Sequence, residues 1–174
     1  MSLTPRTMCF AAWAVLLLVA VAALPGCPPQ TTRPAPPPEV QRIDHIDLWV
    51  PNAPSNLDSE PGVDGVNLTM MFYRDEKAQS VGIDGTLELR LYEGTVKLEN
   101  IDSAAPFHTW RFTGRELRRY LGRIYGVWAY SLTLTWGDQV PSGGSTDRIS
   151  LVARYKPARG PVVWSQVGYV PMKD

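Results

Sequence analysis

From Val40 onward, apolar and polar side chains alternate with a period of two. Ile46, Leu48 and Val50 alternate with His45, Asp47 and Trp49. Val66, Leu68, Met70 and Phe72 alternate with Asn67, Thr69, Met71 and Tyr73, and Leu87, Leu89 and Leu91 with Thr86, Glu88, Arg90 and Tyr92. In Val127–Trp136, Trp128, Tyr130, Leu132, Leu134 and Trp136 share one face, with Ala129, Ser131, Thr133 and Thr135 on the other. Further strands fit Thr95–Glu99, Phe107–Thr113, Arg148–Tyr155 and Val162–Val170. Turn chemistry separates these runs at Pro61-Gly62, Asp64-Gly65, Asp84-Gly85, Glu93-Gly94 and Ser142-Gly143-Gly144. Short strands with one polar face each bury the other against a second sheet. The pattern predicts an all-β protein, an antiparallel β-sandwich of about seven to eight strands. Thr113-Gly114-Arg115-Glu116 interrupts it as a capping box, with Leu117 and Leu121 four apart and Gly122 as a stop. That predicts one short crossover helix over Gly114–Leu121.

The N-terminal part has a different pattern. Residues 1–9 carry one positive charge, Arg6, and Phe10–Leu24 is an unbroken apolar run of 15 residues. Such a run is short for ~30 Å of hydrocarbon but suits the core of a signal peptide. It ends in Leu24-Pro25-Gly26-Cys27, which resembles the lipobox of bacterial lipoproteins. The resemblance implies that a diacylglycerol is added to the Cys27 sulfur and that signal peptidase II removes residues 1–26. It covers only the first 27 residues. Residues 27–39 then form a lipidated cysteine and a proline-rich tether, leaving 40–174 as the sandwich domain. Pro28 to Pro38 favours polyproline II, reaching at most ~35 Å. By strand pattern alone, residues 43–170 loosely resemble immunoglobulin-like and transthyretin-like envelope sandwiches. No motif accompanies that likeness, so no functional residue is transferred.

Composition narrows the function classes. The chain has 17 basic and 17 acidic residues, and only Arg6 of them precedes Cys27. The mature part is therefore close to neutral, which argues against a general nucleic-acid binder. Cys9 lies in the signal segment and Cys27 at its end, so no thiol remains in the domain.

Catalytic signatures are scarce: there is no His-Glu-x-x-His, Gly-x-Ser-x-Gly or Gly-rich phosphate loop. His45 shares a strand face with Asp47, as a general base held by a carboxylate would. The plainer reading is an exposed cross-strand histidine. His108 shares a face with Trp110 and Phe112, as a core-edge histidine does. The loop from Asn56 to Gly65 gathers Asp58, Glu60 and Asp64, oxygens of the kind calcium uses, though without EF-hand spacing. Arg115, Arg118 and Arg119 fall on one helical face, either as a solvated surface or as a contact for anionic lipid, polymer or protein. Trp49, on a polar face, is the surface aromatic.

These readings lead to a lipid-anchored cell-envelope lipoprotein facing outside the cytoplasm, carrying a non-catalytic accessory or binding sandwich. It would use no cofactor unless calcium, and its partners would be the membrane, an envelope polymer or another envelope protein, not nucleic acid. Two alternatives stand beside it. One is a calcium-dependent ligand-binding or adhesion module built on Asp58–Asp64. The other is a hydrolase with an unrecognised site at His45 and Asp47.

Overall fold

The computed structural model describes residues 34–58, 60–74, 80–137 and 146–172. The signal segment, Cys27, the tether up to Arg33 and the turn at Ser142-Gly143-Gly144 lie outside the described residues. Pro36–Asp174 is one compact unit.

The alternating runs become antiparallel strands in two stacked sheets. One sheet contains β2 (His45–Trp49), β3 (Gly65–Tyr73), β7 (Leu121–Ile124) and β8 (Val127–Thr135), in the order β2-β3-β8-β7. The other contains β5 (Gly85–Glu93), β6 (His108–Thr113), β9 (Arg148–Pro157) and β10 (Val163–Trp164), in the order β10-β9-β5-β6. β11 (Gly168–Pro171) also pairs with β9. The apolar faces meet. Ile46, Leu48, Val66, Phe72, Leu132 and Leu134 of the first sheet join Leu87, Leu89, Leu91, Leu151 and Tyr155 of the second in one buried cluster. Burying such a side chain is worth ~1.5–3 kcal/mol. Rings cross between the layers, with Phe72 and Tyr155 centroids 6.3 Å apart. Trp110 Nε1 of β6 donates to the Thr135 carbonyl of β8 at 2.9 Å, joining the sheets at an edge. The fold is an all-β sandwich, as the period of two predicts.

Several local expectations are corrected. The helix is shorter than Gly114–Leu121: α1 is Gly114–Leu117, followed by a 3-10 turn over Arg118–Tyr120. The expected stop at Gly122 is instead the middle of β7, because Leu121–Ile124 pairs with Val127–Tyr130 across a two-residue turn. Thr95–Glu99 makes no strand. It is a loop with a 3-10 turn at Leu98–Asn100, pinned by Ser150 Oγ, which accepts from Val96 N and donates to the Gly94 carbonyl. Below this loop Tyr92, Ile101 and Val152 form a second, small core. Val162–Val170 is two strands, β10 and β11, lying successively along β9. Trp128, expected on the buried face, is only half-buried, opposite Arg123 of β7.

The chain also joins the fold before Val40. β1 (Glu39–Val40) pairs in parallel with β4 (Gly82–Ile83). Gly82 N donates to the Pro38 carbonyl at 2.9 Å, and Arg118 pairs with Glu39. Pro36 to Glu39, expected as tether, thus belong to the compact unit. The Tyr155 hydroxyl donates to the Gln41 carbonyl at 2.8 Å, securing the next step of the same segment. Burial, reinforced by Asp84, pushes that hydroxyl's pKa up to about 12.

Candidate functional site

The best-organised polar group lies on the outer face of the second sheet. β5 places Thr86, Glu88 and Arg90 outward, alternating with buried Leu87, Leu89 and Leu91. Antiparallel register then sets Glu88 between Arg111 of β6 and Arg154 of β9, with Trp164 of β10 opposite Arg154. One cross-strand row therefore reads Trp164, Arg154, Glu88, Arg111. Arg90, two residues along from Glu88, completes the cluster.

Glu88 accepts from all three guanidiniums, from Arg90 at 2.8 Å, Arg111 at 3.1 Å and Arg154 at 3.1 Å. Its side chain is only 12% exposed, whereas that of Arg111 is 72% exposed. Arg90 and Arg154 also lie over the Trp164 ring, at 5.2 and 5.4 Å from its centroid. Burial pushes the Glu88 carboxyl up, but the arginine hydrogen bonds outweigh it and hold the group below the usual carboxylate range. The carboxylate is thus ionised at neutral pH, and the cluster retains a positive surplus. The next row outward along the strands is Lys156, Thr86, Thr113. These three, with Arg115 and Asp84, line a groove of about 640 Å³.

The structure distributes the residues singled out in the sequence over several places. Arg115, Arg118 and Arg119 are all exposed, as expected, but they do not act alike. Arg115 lines the groove just described, Arg118 pairs with Glu39, and Arg119 lies over the Tyr120 ring at 5.1 Å. The α-helical turn passes directly into the 3-10 turn that carries Arg118 and Arg119, and the three side chains meet different neighbours.

Trp49 is 56% exposed on the opposite sheet, at the rim of a groove of about 340 Å³ lined by Asn67, Thr69, Ser131 and Thr133. In the acidic loop, Asp58 accepts from Glu60 N at 2.8 Å and Asp64 from Leu57 N at 2.6 Å. Asp58 and Asp64 each hold the loop's own backbone, and Asn56 donates to the Glu60 carbonyl. Among the described residues no group of three or more His, Cys, Asp or Glu side chains is placed to hold a metal ion. His45 Nε2 lies 2.7 Å from Asp47 Oδ1 on edge strand β2, and its ring stacks on Tyr73. His108 is half-buried against Trp110, at 4.5 Å between centroids. Cys27 lies outside the described residues, among which no helix is long and apolar enough to cross a membrane.

Sequence reasoning missed the Glu88 cluster. Its members are outward positions on several strands, and only long-range register brings Arg111 and Arg154 to Glu88 and Arg90 of β5. Compared with known protein families, curated proteins and solved structures, the chain gives no match.

Proposed function

We propose that this protein is a non-catalytic binding module of a bacterial cell envelope, held to a membrane by a lipid on Cys27. The anchoring half of the reading rests on the apolar run Phe10–Leu24 and the Leu24-Pro25-Gly26-Cys27 sequence that ends it. More than one acyl chain gives stable attachment, since each buried methylene adds ~0.8 kcal/mol.

The observation that carries the binding half is the cluster of Glu88 with Arg90, Arg111 and Arg154. It offers fixed charge and a surplus of hydrogen-bond donors on the outer sheet face, with Arg111 72% exposed and Arg90 and Arg154 20% and 23% exposed. It offers no nucleophile and no proton acceptor poised near neutral pH, because its one carboxylate is held ionised. Arginine forks of this kind recognise carboxylate and phosphate groups.

The anchoring is tested by metabolic labelling with palmitate in the wild type and in Cys27→Ser. The wild type should carry label and sediment with membranes. The variant should carry none and should be released or remain uncut. Equal labelling of the two would sink the anchoring reading.

A further inference from the structure

We propose that the outer face of β5, β6 and β9 binds a carboxylated polysaccharide across the Arg154–Glu88–Arg111 row and the adjoining Lys156–Arg115 groove. This rests on the binding-module reading and gives its ligand a chemical class. Arg90, Arg111, Arg115, Arg154 and Lys156 stand against Glu88, Asp84 and Glu116 there, a surplus of two positive charges. Glu116 is itself occupied, accepting from the Thr113 backbone N–H at 2.7 Å and from the Thr113 hydroxyl at 2.9 Å. Lys156 and Arg115 have no ion-pair partner among the described residues.

Glu88 shows how a ligand carboxylate would be held. It takes one hydrogen bond from each of three guanidiniums, and each guanidinium presents a fork with further donors. Guanidiniums crowded around one carboxylate repel one another, so a second anion relieves the repulsion as well as adding hydrogen bonds. Arg154 and Arg111 stand two strands apart on either side of Glu88, and Lys156 stands two residues along β9 from Arg154, ~6.7 Å away. Such a spread of cations meets a chain with repeated charges better than it meets a lone small anion.

The shape of the face selects the class of polymer. β5 and β9 are interior strands with partners on both sides, so the only free main chain is the outer edge of β6, at the margin of this face. Threonines at 86 and 109 lie beside the cations, hydroxyls suited to sugar hydroxyls, while the Thr113 hydroxyl is engaged by Glu116. None of the large exposed apolar side chains, Trp49, Leu98, Tyr125, Val127 and Tyr169, lies on β5, β6 or β9, so the face lacks the apolar wedge of a lipid-inserting surface. A near-neutral chain likewise lacks the broad excess of charge that draws nucleic acid.

The test is titration of the full chain in detergent micelles at low salt with alginate oligomers, neutral dextran, polyphosphate and vesicles containing phosphatidylglycerol. Alginate should bind, dextran should not, and added salt should weaken the interaction. Arg111→Ala with Lys156→Ala should weaken alginate binding roughly ten-fold or more, a change that 1.4 kcal/mol would produce. Arg111→Lys with Lys156→Arg should restore most of it, and Arg118→Ala with Arg119→Ala should leave it unchanged. A melting midpoint near that of the wild type checks that each variant is folded. Alginate binding that survives the Arg111 and Lys156 changes overturns the proposal, as does no binding at low salt. Tighter binding to polyphosphate or vesicles than to alginate overturns it too. Palmitate labelling of the same preparations separates the two readings. Binding without labelling removes only the anchor, and labelling without binding removes only the ligand.

Discussion

Glu88 is where charge, burial and pH meet on one side chain. A carboxyl whose folded pKa lies below its unfolded value stabilises the fold above that unfolded value, and the contribution is lost as pH falls through the folded one. Glu88 is depressed from its ordinary 4.5. Wild-type unfolding free energy should therefore hold above that pH and decline below it. Glu88→Gln should flatten the acid decline and cost ~1–3 kcal/mol at neutral pH, because three guanidiniums lose their counter-charge. Urea titrations of both proteins from neutral to acid pH measure this, and an unchanged acid slope in the variant would assign the slope elsewhere. Tyr125 is a different kind of residue. Its φ is 50° and that of Gly126 is 87°, at a two-residue turn between Ile124 and Val127, and its side chain is 97% exposed. Two positive φ values define the hairpin turn that favours asparagine followed by glycine. Tyr125→Asn gives up no packing and should raise stability by ~0.5 kcal/mol, visible as a higher melting temperature. The glycine of this turn was present in the sequence, but Tyr125 concealed the hairpin because tyrosine rarely occupies that conformation.

Short elements were the least legible in the sequence, and the helix shows why. The Thr113 capping box was readable and is present: the Thr113 hydroxyl accepts from Glu116 N at 3.3 Å, and the Glu116 carboxylate accepts from Thr113 N at 2.7 Å. That hydrogen bond holds the Glu116 carboxyl below its usual range. Thr113→Ala should cost ~1 kcal/mol in denaturant titrations, and no loss would mean that the box is incidental to a helix fixed by packing. The end of the helix was not readable, because Leu121 continues the apolar spacing of Leu117. Pairing with β8 takes Leu121–Ile124 into the sheet instead, and cross-strand pairing outweighs a helical preference of a few tenths of a kcal/mol per residue. Thr95–Glu99 fails for the opposite reason. Its alternation is genuine, but Val96 packs on the small core under the loop and finds no strand partner. Long strands with buried leucines were legible because their period is enforced by the core. The Glu88 cluster was not, since residues 88, 111 and 154 become neighbours only through a register that no single strand encodes.

At the scale of the whole molecule, the fold begins where the tether was expected to continue. β1 covers Gly82 and Ile83, and Ile83 is 1% exposed. Shortening the chain so that it starts at Arg42 removes this strand and the Glu39–Arg118 pair. A chain starting at Pro36 should give a sheet-dominated far-ultraviolet spectrum. One starting at Arg42 should keep that spectrum and melt several degrees lower, at ~4–8 °C per kcal/mol for a small domain. Equal melting temperatures would show that β1 rests on the sandwich without supporting it.

β1 has a mechanical consequence as well. Any pull along the chain from the Cys27 side reaches the sandwich first through two residues in a parallel bridge, two backbone hydrogen bonds at 2.9 and 3.1 Å from Gly82 and Asp84, and one surface ion pair. These contacts are weaker than the long antiparallel ladders behind them, so under load β1 peels away while the two sheets stay closed. The freed segment lengthens the leash by ~3.3–3.6 Å per residue. Load applied from that side is then absorbed by a short extension before the sandwich itself is strained, and the sheet face around Glu88 keeps its geometry.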